Sequence, residues 1–191
     1  MIDLSLKLER DNKVWNWLKN QENKLISAGH IGTHIDVYNK SEIPQSYIKS
    51  RGVIVDCSNY NLDKEIGIEC IQDKIINNGD FIIFKTNIGE KYPYGSDIYI
   101  KNHNQLSLEL IDYLIDREVN FIGIDCAGIR RGKEHFEADI KCENNNVYVV
   151  ENLDLSQINS YEKEINIYTI WINNPFSTGL AARVLIDFME E

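Results

Sequence analysis

"AGHIGTHIDVYNK", residues 28–40, holds two of the chain's four histidines, His30 and His34, and places Asp36 two residues further on. The even spacing decides how this stretch is read. In an extended strand, residues 30, 34 and 36 leave the same face, and Gly32 shares that face without a side chain. The glycine then leaves a gap between the two imidazoles where an ion and a ligand fit. A helix would also bring His30 and His34 together, four apart. It accommodates Asp36 badly, however, and puts a glycine in mid-helix at a cost of about 1 kcal/mol. The extended reading is preferred, and it makes the chain a sheet protein with two imidazoles and a carboxylate on one strand. That donor set suits zinc, with manganese or iron as alternatives.

Further strand signals lie on both sides of this stretch. "IDLSL" (Ile2–Leu6) alternates with period two. "GVIVDC" (Gly52–Cys57), "FIIFKT" (Phe81–Thr86), "FIGID" (Phe121–Asp125), "VYVVEN" (Val147–Asn152) and "IYTIWI" (Ile167–Ile172) are short runs rich in Ile, Val, Phe and Tyr, several nearly continuous in apolar residues, the pattern of strands buried on both faces. Between them, "SLELIDYLIDREVN" carries an apolar stripe at Leu108, Ile111, Leu114 and Ile115, with Ser107 as its N-cap. "LDKEIGIECIQDKIIN" is a weaker helical pattern, interrupted by Gly67. "TGLAARVLIDFMEE" has helical spacing but is equally compatible with a strand start. The expected fold is α/β: one domain over residues 1–191, a mixed β-sheet with packed helices.

Composition sets the outer limits. A chain of 191 residues fits one domain with a full core. A net charge of -10 argues against a nucleic-acid or anionic-membrane binder. Cys57, Cys70, Cys126 and Cys142 form no CxxC pair, and "MIDLSLKLERDNK" has no apolar run of the signal-peptide kind. The cysteines read as free, small core residues, and the expected location is the cytoplasm.

The stretch "HIGTHID" resembles the His-x-Gly-Thr-His-x-Asp signature of the cyclase family, metal-dependent hydrolases that include bacterial kynurenine formamidase and isatin hydrolase. Other segments follow in the family's order: "IDLSLKLE", "VW" at Val14-Trp15, "FIGIDCAGIRRGKEH", "VYVVENL" and "GLAARVL". The resemblance implies a swivelling β/β/α-like architecture. It also implies His30, His34, Asp36, His135 and Glu151 as ligands of one or two zinc, manganese or iron ions, with Asp36 bridging and catalytic. Trp15 would line the substrate pocket, and a homodimer or homotetramer is implied as well. Glu151 carries independent weight, because a carboxylate at the end of the apolar run Val147–Val150 is costly unless paired or metal-bound. The formamidase pattern continues Asp-x-Pro-x-His, the last residue being the proton carrier, and here these two positions are Tyr38 and Lys40. Lys40 is the candidate catalytic residue at that position only if burial or the metals strip it of its proton. The reading preferred is a surface lysine in a loop.

Arg130 and Arg131 are candidates for holding a substrate carboxylate. Asp125 is read as orienting backbone groups rather than binding metal, and His103, in a polar turn, is left outside the site. The expected activity is metal-dependent hydrolysis of a C–N bond in a small amide, either an N-formyl amide or a lactam. The alternative is a family member that binds metal or a small molecule without turnover.

Overall fold

The computed structural model describes residues 1–159 and 164–188. The strands are β1 (Ile2–Asp3), β2 (His34–Asp36), β3 (Lys49–Asp56), β4 (Glu65–Ile66), β5 (Phe81–Lys85), β6 (Gln105–Leu106), β7 (Phe121–Ile124), β8 (Tyr148–Glu151), β9 (Ile165–Trp171) and β10 (Gly179–Phe188). The α-helices are α1 (Val14–Lys19), α2 (Lys24–Gly29), α3 (Ile88–Lys91), α4 (Asp97–Lys101), α5 (Leu108–Asp116) and α6 (Lys133–Asn144). This is the expected α/β fold with a mixed sheet.

The main sheet runs β1-β10-β2-β8-β7-β5-β3-β9. Strands β3, β5, β7 and β8 are mutually parallel, while β2, β9 and β10 run antiparallel to their neighbours. Strand β9 pairs with β3 on one side and β10 on the other, so the sheet closes on itself. Alternation along the strands then separates two cores. Phe81, Ile83, Phe121, Tyr148, Val150, Ile35, Ile167 and Val184 come from around the ring and fill the enclosed face. Ile82, Phe84, Ile122, Ile124 and Val149 face the other way, against Leu110, Ile111 and Leu114 of α5 and Ala138 and Cys142 of α6. Ser107 caps α5 as expected, its hydroxyl accepting from Leu110 N at 3.1 Å.

Two readings change and one left open is decided. Residues 62–77 are not a helix; they give β4 and a single 3-10 turn at Ile68–Ile71, since Gly67 breaks the pattern at that turn's start. The C-terminal segment is strand β10, drawn into the sheet by β2, β1 and β9, and the rest of it beyond Phe188 lies outside the described residues. The "HIGTHID" stretch is not one strand. Helix α2 ends at Gly29, His30 is its C-cap residue, Gly32 takes φ +70°, and only His34–Asp36 is extended.

Candidate metal centre

The chain bends at residues 31–33, with Gly32 at φ +70°, and so sets His30 beside His34 without a continuous strand. A Cβ on Gly29 would come within 2.0 Å of the Gly179 carbonyl oxygen, and one on Gly179 within 2.8 Å of the His30 ring. Only two glycines allow α2 and β10 to approach this closely, which accounts for the small residues at the start of β10. Thr33 fastens the turn: its hydroxyl donates to the Asn152 carbonyl at 2.6 Å and accepts from Leu6 N at 2.7 Å.

On β2, Ile35 enters the enclosed core, and His34 and Asp36 face the helical side. The β2–β8 register sets His34 directly opposite Glu151, whose Oε2 lies 3.6 Å from His34 Nε2. Helix α6 adds His135, with Nε2 3.5 Å from Glu151 Oε1. The elements thus bring His30, His34, Asp36, His135 and Glu151 into one cluster, although residues 36 and 135 lie far apart in sequence.

The ring nitrogens are sorted by what holds the opposite side of each imidazole. His30 Nε2 meets the Thr178 hydroxyl at 2.9 Å, which leaves Nδ1 facing Asp36 Oδ1 at 3.1 Å. His34 Nδ1 meets the Gly32 carbonyl at 2.9 Å, which leaves Nε2 facing Asp36 Oδ1 at 3.5 Å. Both oxygens of Asp36, both of Asp139 and Oε1 of Glu151 are buried without a hydrogen bond. Burial pushes Glu151 and Asp139 well above the usual carboxylate range, and the charge of Asp36 adds to both. Burial also opposes ionisation of Asp36, but His34 and His30 outweigh it and hold that carboxyl low. Lone pairs of imidazole nitrogens and carboxylate oxygens therefore converge on one small volume, an arrangement that a divalent cation satisfies. The residues fit the metal that the sequence implies. They form two overlapping donor groups, His30/His34/Asp36 and Asp36/His135/Asp139/Glu151, with Asp36 in both.

Sequence reasoning missed Asp139. The signal was present in "HFEAD": His135 and Asp139 are four apart on α6 and share a face, with Oδ2 3.2 Å from His135 Nε2.

A cavity of about 670 Å³ opens onto the cluster, reaching His30, His34, His135 and Glu151. Trp17 rather than Trp15 lines it; the indole N–H of Trp15 donates to the Glu9 carbonyl at 2.8 Å. Arg131 lines it and Arg130 does not. Arg130 is buried in ion pairs with Glu65 (2.6 Å) and Glu134 and donates to the Leu106 carbonyl, so it holds the loop rather than a substrate. Lys40 is exposed, at φ +57°, away from the cavity wall. The buried carboxylate of Glu143 explains this: it accepts from Asn39 N at 2.8 Å and Ser41 N at 3.0 Å, gripping the turn on either side of Lys40. Tyr38 stacks on His30, ring centroids 6.0 Å apart, and packs edge-on against Phe136. Asp125 does orient backbone, accepting from Thr86 N at 3.0 Å and Asn87 N at 2.7 Å.

His103, omitted on sequence grounds, lines the cavity. Its Nδ1 meets the Asn104 carbonyl at 2.7 Å and its Nε2 has no hydrogen-bond partner among the described residues. Burial lowers its pKa to about 4, so it is a neutral imidazole at pH 7. Tyr94, also in the wall, accepts the Gly32 N–H at 2.9 Å, and burial raises its pKa.

Residues 2–130 match the model of the Cyclase family, described as "Putative cyclase". No curated protein matches the chain in sequence. Among solved structures, a potential metal-dependent hydrolase with cyclase activity is 21% identical with a TM-score of 0.73, over 100% of this chain and 98% of that one. A predicted metal-dependent hydrolase from Bacillus stearothermophilus is 20% identical with a TM-score of 0.69, over 97% and 96% of the two chains. Isatin hydrolase A from Labrenzia aggregata, bound to benzyl benzoate, is also 20% identical with a TM-score of 0.69, over 83% and 73%. At these identities the likeness is one of fold.

Proposed function

The chain belongs to the Cyclase family, and on that premise we propose that it is a metal-dependent hydrolase cleaving the C–N bond of a small amide, an N-formyl amide or a lactam. The observation that carries this reading is the convergence of imidazole nitrogens and buried, unpartnered carboxylate oxygens at the floor of a cavity. The isatin hydrolase among the fold relatives agrees with the lactam case, since isatin contains a cyclic amide.

His30, His34 and Asp36 would hold one ion, and Asp36, His135 and Glu151 a second. Bound there, divalent zinc, manganese or iron would activate water at neutral pH and polarise the carbonyl. The chain's own groups do the rest. Tyr94 already accepts from Gly32 N, so its hydroxyl hydrogen remains to be donated to the carbonyl oxygen as charge develops. Arg131, which makes no ion pair among the described residues, would hold a substrate carboxylate, with Lys13 at the cavity wall adding positive charge; Lys101 there is paired with Asp97. Val14, Trp17 and Ile100 supply an apolar wall for the remainder of the substrate.

The test is steady-state hydrolysis of a panel of N-formyl amides and small lactams, with and without an anionic group. Turnover is expected to vanish on chelation and return with added zinc or manganese. If the metal-loaded protein turns over no member of either class, the hydrolase reading fails for these substrates.

A further inference from the structure

We infer that Asp139 is a metal ligand, and that the centre therefore has two unlike halves: a nitrogen-rich one of His30, His34 and Asp36, and an oxygen-rich one of Asp36, His135, Asp139 and Glu151. The inference rests on the metal-dependent reading above and adds a residue and a selectivity to it.

The ligand atoms of the second group all lie within 4.8 Å of one another. The Asp139 side chain is 1% exposed, and neither of its oxygens has a hydrogen bond. A purely positioning role, in which Asp139 accepts an N–H from His135, does not suit the ring. A Cβ on Gly128 would meet both His135 Nδ1, at 2.4 Å, and the Arg130 carbonyl oxygen, at 2.8 Å. Nδ1 thus lies on the side of Gly128 and the Arg130 carbonyl, while Nε2 is 3.2 Å from Asp139 Oδ2 and 3.5 Å from Glu151 Oε1 without a hydrogen bond to Asp139. Because Asp139 accepts no hydrogen bond from this ring, Nε2 serves as a lone pair facing Asp139 and Glu151. Two acceptors facing each other in a buried site call for a cation between them. Three carboxylates and one imidazole make a harder donor set than two imidazoles and one carboxylate. The oxygen-rich half thus suits manganese and the nitrogen-rich half zinc.

The experiment loads chelated protein with one equivalent of zinc and titrates it with Mn²⁺. It follows free Mn²⁺ by electron paramagnetic resonance and bound metal by elemental analysis, for the wild type, Asp139→Asn and Asp139→Ala. Circular dichroism of each verifies the fold, and the near-isosteric Asn variant removes only charge. The wild type is expected to hold one zinc and one manganese. Both variants should keep the zinc and bind manganese at least tenfold more weakly, as loss of a supporting group already costs tenfold to a hundredfold. Manganese bound equally well by both variants overturns the inference, as does a zinc-loaded wild type that takes up no manganese. A wild type that binds neither ion overturns the metal-dependent reading itself.

Discussion

At position 40 the chain carries Lys where the formamidase pattern has a histidine, and the local backbone decides what that lysine can do. Glu143 pins the amides on both sides of it, through Asn39 N and Ser41 N. Lys40 therefore sits on an exposed turn, in a left-handed conformation that a β-branched residue would resist. Lys40→Ala is expected to change kcat/KM less than about twofold, because an exposed side chain away from the reacting atoms contributes no proton transfer. Lys40→His should be equally silent, since a turn held this way does not deliver an imidazole to the cavity; a working general acid–base there would have been worth about a hundredfold. Kinetics of the three proteins at matched metal content check both expectations, and a hundredfold gain in Lys40→His would show that the turn opens onto the site. The surface-loop reading of Lys40 was available from sequence, because an unpaired lysine is rarely buried. The placement of Arg130 was not, because its partner Glu65 and the Leu106 carbonyl lie on distant segments.

At the level of elements, the centre depends on the close approach of α2 and β10. Gly179 is the point of contact: a methyl group there would meet the His30 ring at 2.8 Å and the Gly29 backbone at 2.9 Å. Gly179→Ala should destabilise the fold by about 1–3 kcal/mol, the usual range for overpacking. It should also weaken zinc binding at least tenfold by displacing His30, leaving the opposite edge of the sheet intact. Thermal unfolding and a zinc titration measure the two effects, and an unchanged zinc affinity would show that His30 adjusts freely. The strands of the buried half were legible as apolar runs, since Phe81–Lys85, Phe121–Ile124 and Tyr148–Glu151 are buried along their whole length. The 30–36 stretch misled. Even spacing fits a strand, but a helix end and one glycine with φ +70° achieve the same convergence by bending the chain.

For the whole molecule, a cation at the centre would tie the α2–β2 segment to α6 and β8, which lie about a hundred residues further along the chain. A ligand that binds only the folded state adds about 2.7 kcal/mol of stability at a hundred times its dissociation constant. For a chain of this size that corresponds to a rise in Tm of roughly 5–10 °C. Zinc or manganese is expected to produce such a rise in chelated protein, followed by calorimetry, while magnesium at the same concentration should do less. No shift with any transition metal would mean that the cluster is held by protons alone. Among the described residues no helix is long and apolar enough to cross a membrane.

The sequence by itself determined the alternation and apolar runs that make a mixed sheet, the Ser107 cap, and the identity of two imidazoles and a carboxylate near its start. These are local properties: period, propensity and residue type act within a few positions of the chain. Only the tertiary structure decided that β9 closes the sheet onto β10 and that Trp17 rather than Trp15 lines the cavity. The same holds for Arg130 being spent on ion pairs, and for Asp139 and His103 joining the site. Each of these depends on which side chains from distant segments share one small buried volume. Strand register and helix docking set that sharing, and they are collective solutions of packing the whole chain.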